Sequence, residues 1–285
     1  MILFPHCKIN LGLHITARRA DGYHEIETLF HPVRGLCDAV EILPAGEAEG
    51  DDGGTIVFSS TGLTVDCPEE KNLCVRAAKI LREAFPEPFA AAGGVRIHLH
   101  KTIPFGAGLG GGSADATAVL VGLNEVLSLG LTTEELVPFA ARLGSDTVFF
   151  LHDRPMLGTG RGERLEPFAG LDLTGWRLLL VKPPVGVSTA EAYSLVTPRV
   201  PAVPLDEILS RPVEAWRGKL VNDFEEPLFR RLPVLGGIRA ELYRRGAVYA
   251  ALSGSGATLF GLFPAGSGLP VEGWPAGYFV RPETL

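Results

Sequence analysis

The fold turns on Val95-Arg96-Ile97-His98-Leu99-His100-Lys101-Thr102-Ile103-Pro104-Phe105-Gly106-Ala107-Gly108-Leu109-Gly110-Gly111-Gly112-Ser113-Ala114-Asp115-Ala116. Residues 95–103 alternate apolar with Arg96, His98, His100 and Thr102 on the other side. That period of two predicts a strand with one buried face. Five glycines then fall within residues 106–112. They remove Cβ atoms, so a bulky anion can reach backbone N–H groups directly. A helix is expected over about 113–128, and its start adds unpaired N–H groups and the positive end of its dipole. Strand, glycine loop and helix start together read as a phosphate cradle.

Two familiar cradles are excluded. A Walker loop closes on Gly-Lys-Ser/Thr, whereas Gly112 is followed directly by Ser113. Gly106 to Gly111 matches G-x-G-x-x-G, but a dinucleotide-binding unit opens on a strand that is apolar on both faces. Residues 95–103 alternate instead, and no acidic residue closes a second strand about twenty residues on.

Outward from the loop, Ile9, Leu11, Leu13 and Ile15 alternate with Lys8, Asn10, Gly12 and His14, predicting a strand over 6–16 with one buried face. Asp21-Gly22 signals a turn into a second strand at 23–33. Short strands are expected at 36–43 and 54–60, around an acidic Gly-rich loop at 46–54. Leu73, Ala77, Ile80, Leu81 and Ala84 form the stripe of a helix at 72–85, stopped by Pro86. A further helix at 132–143 starts at Thr132 or Thr133, with Glu135 close behind. The second half predicts a strand at 177–181, helices near 189–196, 222–231 and 235–245, and a hairpin of 247–252 and 257–263 around Ser253-Gly254-Ser255-Gly256. Strands and helices without regular βαβ alternation give an α+β class, helices layered on largely antiparallel sheets, with a soft boundary near residue 155.

Bulk properties narrow the partners. A chain of 285 residues is long enough to bury a core without metal or disulfide staples. Its 46% apolar and 21% charged residues are ordinary for a globular protein. Lys and Arg number 26 against 33 Asp and Glu, a net charge of −7, so neither nucleic acid nor an anionic membrane is an expected partner. A local set of donors can still hold a small anion. The sequence shows no export signal and no apolar run of about 18 residues, which predicts a cytoplasmic protein. Cys7, Cys37, Cys67 and Cys74 form no C-x-x-C and read as reduced thiols.

The loop from Pro104 to Ala116 resembles the ATP loop of the GHMP kinase superfamily. Lys8-Ile9-Asn10-Leu11 and Arg19-Ala20-Asp21-Gly22-Tyr23-His24-Glu25-Ile26-Glu27-Thr28-Leu29-Phe30 narrow the resemblance to its 4-diphosphocytidyl-2-C-methyl-D-erythritol kinases, of the methylerythritol phosphate route to isoprenoids. Further matches are Gly144-Ser145-Asp146, Gly160-Arg161-Gly162-Glu163, Pro184 to Thr189, Asn222 to Pro227 and Leu252 to Thr258. The resemblance spans the chain to about residue 263. It implies a two-domain fold with mixed or antiparallel sheets, packed helices and the ATP site between the domains. Residues 1–155 would form an N-terminal ATP-binding domain and 156–285 a C-terminal substrate domain.

The implied reaction is phosphorylation of the 2-hydroxyl of a cytidyl diphosphate-linked sugar alcohol by ATP, with Mg²⁺ carried by the nucleotide. The implied catalytic pair is Lys8 and Asp146: Asp146 takes the hydroxyl proton while Lys8 keeps it ionised and orients the hydroxyl. ATP would be held by Lys101, partly through its backbone at the adenine, and by Pro104, Phe105, Gly106, Ala107, Gly108, Leu109, Gly110, Gly111, Gly112, Ser113 and Ala114. Ser113 would meet Mg²⁺ or a β-phosphate oxygen. Tyr23 would stack on cytosine, His24 would bond its edge, and Tyr193 would close a sandwich. Asn10 would bond the substrate, and Thr189 lies in the substrate loop. A monomer or weak homodimer is expected.

The chain departs from the family pattern at Pro5-His6-Cys7, at Thr147-Val148 after Asp146, and at His152-Asp153-Arg154-Pro155, where a glycine pair is usual. These changes flank the reacting groups and bear on the placement of Asp146. Other readings are a homoserine- or mevalonate-type kinase, an ATP-using decarboxylase, and a ligand sensor of the same fold. A sensor predicts loss of Lys8 or Asp146, and both are present.

Overall fold

The structure is a computed structural model that describes residues 1–46 and 55–285. The acidic loop expected at 46–54 therefore lies, from residue 47, outside the described residues. In chain order the elements are β1 (Ile2–Leu3), β2 (His6–Arg18), β3 (His24–Cys37), β4 (Ala39–Pro44), β5 (Ile56–Gly62), α1 (Leu73–Ala84), α2 (Pro86–Ala91), β6 (Val95–Lys101), α3 (Gly111–Val126), α4 (Thr133–Leu143), β7 (Met156–Thr159), β8 (Arg164–Pro167), β9 (Arg177–Lys182), α5 (Thr189–Ser194), α6 (Leu205–Leu209), α7 (Glu225–Arg231), α8 (Pro233–Arg244), β10 (Tyr249–Leu252), β11 (Leu259–Phe263) and β12 (Phe279–Thr284). Three four-stranded sheets carry them, and the α+β class is the one observed.

The chain groups into two compact units that are not its sequential halves. The first holds Met1–Cys7, Leu36–Phe105 and Gly110–Asp153; the second holds Lys8–Gly35, Gly106–Leu109 and Arg154–Leu285. Residues 8–35 group with the second unit and not with the residues that flank them in sequence. The reason is hydrogen bonding: β3 pairs antiparallel with β7, and Leu13 bridges to Asn222.

In the first unit the sheet order is β1-β4-β6-β5, antiparallel except for the parallel β5–β6 pair. Helix α3 packs on β4, α1 and α4. Asn72 caps α1 by accepting from Cys74 N, and Thr132 with Glu135 forms a complete capping box on α4. Pro86 ends α1 as expected, and then occupies the first turn of α2, where its missing N–H costs nothing. Helix α3 opens poorly. It starts on Gly111 and Gly112, each roughly 1 kcal/mol worse than Ala in a helix, and no side chain caps it. Val119, Leu120 and Leu123 are buried, at roughly 1.5–3 kcal/mol each for a large side chain. Packing therefore holds α3 in place and frees its first turn for another use.

In the second unit, sheet β2-β3-β7-β8 and sheet β10-β11-β9-β12 share an apolar core with α5, α7 and α8, including Leu13, Ile15, Ile26, Val181, Phe224, Leu228, Leu242 and Leu252. Strand β2 departs from the expected single buried face. Ile9, Leu11, Leu13 and Ile15 are buried, and so are Lys8, Asn10 and His14. A polar face can be buried only when its groups find partners, and those partners begin the site.

Candidate active site

Within the second unit, Lys8 Nζ donates to Asn10 Oδ1 and to the Gly108 carbonyl at 3.2 Å, and lies 5.4 Å from the centre of the Phe30 ring. Asn10 Nδ2 donates to Thr28 Oγ1 at 3.0 Å, and Thr28 Oγ1 donates to Gly12 O at 2.6 Å. Asn10 therefore aims Lys8 with one end of its amide while Thr28 fixes the other. Residues 106–109 are pinned to the same network. Lys8 N donates to Leu109 O at 2.9 Å, Thr258 N to Ala107 O at 3.2 Å, and Ser253 Oγ to Gly108 O at 2.9 Å. Asn222 Nδ2 holds the 252–254 turn through Leu252 O and Gly254 O. Gly108 has φ +75°, and a Cβ there would fall 2.1 Å from Ser253 O. Both its conformation and its surroundings require glycine.

In the first unit, Gly110 takes φ 72° and ψ 10° as the N-cap of α3. This left-handed residue turns the chain into the helix without a capping side chain, and so leaves the first-turn N–H groups open to an anion. A Cβ at Gly111 would meet Ile103 Cγ2 at 2.8 Å and Lys101 Nζ at 2.9 Å, whereas one at Gly112 would meet only Leu73 at 3.7 Å. Gly111 is thus required by packing, while at Gly112 the protein itself leaves room for a side chain. Phe105 and Gly106 are exposed, Pro104, Gly112 and Ser113 half-buried, and Ala107, Leu109 and Ala114 buried as anchors.

Lys101 is held inside the first unit. Its side chain is buried and bonded to Asp38 and to Asp115 Oδ2, the latter at 2.8 Å. Its carbonyl accepts from Leu63 N at 2.8 Å. Burial, set against the Lys101 charge, pushes the Asp115 carboxyl up to about 8, and Asp115 Oδ1 is buried without a hydrogen-bond partner.

Asp146 lies half-buried in the turn after α4, and its carbonyl accepts from Phe149 N at 3.2 Å. That turn is tied to α3. Thr117 Oγ1 donates to Thr147 O at 2.8 Å and reaches Ser113 O at 3.0 Å. One hydroxyl thereby links the aspartate turn to the helix start in the first unit. Two of the departures also touch: His6 Nε2 bonds Asp153 Oδ1 at 2.9 Å, and the His6 ring lies 5.7 Å from Phe150. Asp153 has φ +44°, a left-handed backbone that glycine adopts freely and Asp tolerates better than most residues.

The aromatic set belongs to the second unit. Tyr23 is exposed at the β2–β3 turn, with the Arg161 guanidinium 4.8 Å from its ring centre. His24 stacks on Tyr193 at 4.8 Å and 20°, and Tyr193 meets Phe224 edge-on at 4.9 Å. Tyr193 is thus seated against His24 and the core, and the ring of Tyr23 stands apart with Arg161 on one face. Burial lowers the pKa of His24, assisted by the Arg18 charge, so at neutral pH the ring offers one donor and one acceptor. Thr189 Oγ1 is 3.3 Å from Ser255 Oγ. Asn222, Ser253 and Gly254 lie in stretches that carry the family resemblance, but the sequence assigned them no role at the site; their contacts with the glycine loop and the 252–254 turn supply one.

With this geometry in view, the comparisons agree. The model of the GHMP kinases N terminal domain matches residues 72–154, and that of the GHMP kinases C terminal matches 209–268. A 4-diphosphocytidyl-2-C-methyl-D-erythritol kinase of Parabacteroides distasonis is 46% identical over 263 residues, covering 92% of both chains. The chain belongs to the 4-diphosphocytidyl-2-C-methyl-D-erythritol kinase family. A relative of the same name in Bacteroides thetaiotaomicron is 43% identical over 98% of both chains. The crystal structure of a 4-(cytidine 5'-diphospho)-2C-methyl-D-erythritol kinase matches with TM-score 0.75 and 35% identity, over 93% of this chain and 91% of that one. A homoserine kinase structure from Cytophaga hutchinsonii, at 20% identity and TM-score 0.65 over 92% of this chain and 85% of that one, shares the fold. Among the described residues no helix is long and apolar enough to cross a membrane, and none of the four cysteines is in a disulfide.

Proposed function

We infer that this chain transfers the γ-phosphoryl group of ATP to the 2-hydroxyl of 4-diphosphocytidyl-2-C-methyl-D-erythritol. The observation that carries this is the uncapped, glycine-started first turn of α3 in a chain of this family. The N–H groups of Gly111, Gly112 and Ser113, with the helix dipole, hold the nucleotide's phosphates. When bound, Mg²⁺ neutralises phosphate charge, and the hard oxygen of Ser113 at the helix start suits it. Lys8, aimed by Asn10 and the Gly108 carbonyl, supplies positive charge beside the acceptor hydroxyl. As the acceptor oxygen bonds to the γ-phosphorus and the bond to ADP breaks, Asp146 takes the hydroxyl proton. Tyr23 offers its open face to cytosine, and neutral His24 supplies the paired donor and acceptor for the base edge.

The test is a coupled ADP-release assay with the cytidyl alcohol, homoserine and mevalonate offered in turn. ADP release with the cytidyl alcohol alone is the expected result. Faster turnover of homoserine or mevalonate would overturn the substrate, and release of CO₂ would overturn the reaction class.

A further inference from the structure

Lys101 has no place in the chemistry above, yet it is among the most buried cations of the chain. It ends β6, the strand that feeds the glycine loop, and its ammonium lies between two carboxylates from different elements. Asp38, between β3 and β4, accepts from Lys101 through Oδ2. Through Oδ1 the same carboxylate accepts from Thr102 N at 2.6 Å and Ile103 N at 2.8 Å, the two residues that lead into the loop. Asp115, in the first turn of α3, accepts from Lys101 at 2.8 Å. The ammonium also sits beneath the loop's exit, 2.9 Å from where a Cβ on Gly111 would stand. One buried cation therefore bonds the strand before the loop to the helix after it, and Asp38 grips the entry backbone as well. Between these stems lie Pro104 to Gly110, with three glycines that by themselves permit many backbone conformations, so the arrangement depends on its anchors. A buried ion cluster is weak evidence for stability, because desolvation offsets its attraction; fixing one arrangement of the chain is a better-attested use.

We propose that Asp38, Lys101 and Asp115 form a clamp that fixes both stems of the glycine loop in their nucleotide-receiving arrangement before ATP arrives, which makes Lys101 and Asp115 positioning residues for ATP. The proposal rests on reading the loop as the nucleotide's phosphate cradle. A loop ordered in advance loses less conformational freedom on binding, and the gain appears as nucleotide affinity. The side-chain carbonyl of Asn can still accept from Lys101, so Asp115→Asn keeps the clamp and Asp115→Ala cuts it.

Calorimetric titration with a non-hydrolysable ATP analogue and Mg²⁺, and separately with cytidine monophosphate, tests this in the full chain. Asp115→Ala should weaken the analogue roughly tenfold or more, since small misplacements at such sites are costly. Asp115→Asn should stay within about threefold, its hydrogen bond to Lys101 being kept. Cytidine monophosphate should bind all three proteins alike. Unchanged analogue affinity in Asp115→Ala, an equal loss in Asp115→Asn, or a loss shared by cytidine monophosphate would overturn the clamp. If the wild type does not bind the analogue at all, the phosphate-cradle reading falls first. Should Asp115→Ala not fold, amide exchange on the wild type decides. The amides of Thr102, Ile103 and Ala114 should be protected without nucleotide, and protection that arises only on adding the analogue would contradict the proposal.

Discussion

The loop from Pro104 to Ser113 and the aromatic group of Tyr23, His24 and Tyr193 present opposite kinds of surface. The first works with backbone: glycines in left-handed conformations, carbonyls pinned by Lys8, Ser253 and Thr258, and open N–H groups at a helix start. The second works with side chains, one of them exposed and the others stacked on each other. Backbone recognition suits phosphate, which presents charge and no pattern; side-chain recognition suits a base, which presents a flat face and a patterned edge. The two are therefore broken in different ways. A loop fails when a Cβ is added, and an aromatic group fails when a ring is taken away.

The largest expected effect lies in neither region but in the chemistry both serve. Asp146→Asn keeps volume and removes basicity, so kcat should fall by about 10² or more, the scale of a lost general base, with little change in ATP affinity. Steady-state kinetics showing near-native kcat would reduce Asp146 to a positioning role. Lys8→Met should be comparably damaging, and the double variant should lose less than the product of the two if they act as one unit.

Next comes the ring. Tyr23→Ala should weaken cytidine monophosphate roughly ten- to two-hundredfold, the equivalent of about 1–3 kcal/mol of stacking. Tyr23→Phe should lose far less, because the face does the stacking. Calorimetric titration of both variants decides, and equal losses would move recognition from the face to the hydroxyl.

The most selective change to the loop is Gly112→Ala. Gly111→Val would disturb Ile103 and Lys101 and confuse folding with binding, whereas a Cβ at Gly112 meets the protein only at ordinary contact distance. Gly112→Ala should keep the wild-type melting temperature and weaken ATP several-fold by holding phosphate off the backbone. Unchanged affinity would show that the phosphates do not approach Gly112.

Much of this was legible because it is local. The strand–glycine–helix run lies within about twenty residues, and its period and composition spell out its structure. The capping box of α4 and the hairpin of β10 and β11 were equally local. What sequence did not disclose depends on distant partners. The local pattern around Lys101 does not show that Asp38 and Asp115 enclose its side chain. The polar face of β2 reads as solvated until Thr28 and Gly108 are placed against Lys8 and Asn10. Likewise, the local pattern of residues 24–37 does not show that β3 pairs with β7. In each case the missing information is a long-range hydrogen bond, which no local pattern encodes.

The division of labour between backbone and side chains is tested most directly by competition kinetics with cytidine monophosphate. If phosphates are held at the start of α3 and the base at Tyr23 and His24, the nucleotide should compete with the cytidyl acceptor and leave the KM for ATP unchanged. Displacement of ATP by cytidine monophosphate, or no inhibition by it at all, would contradict the account.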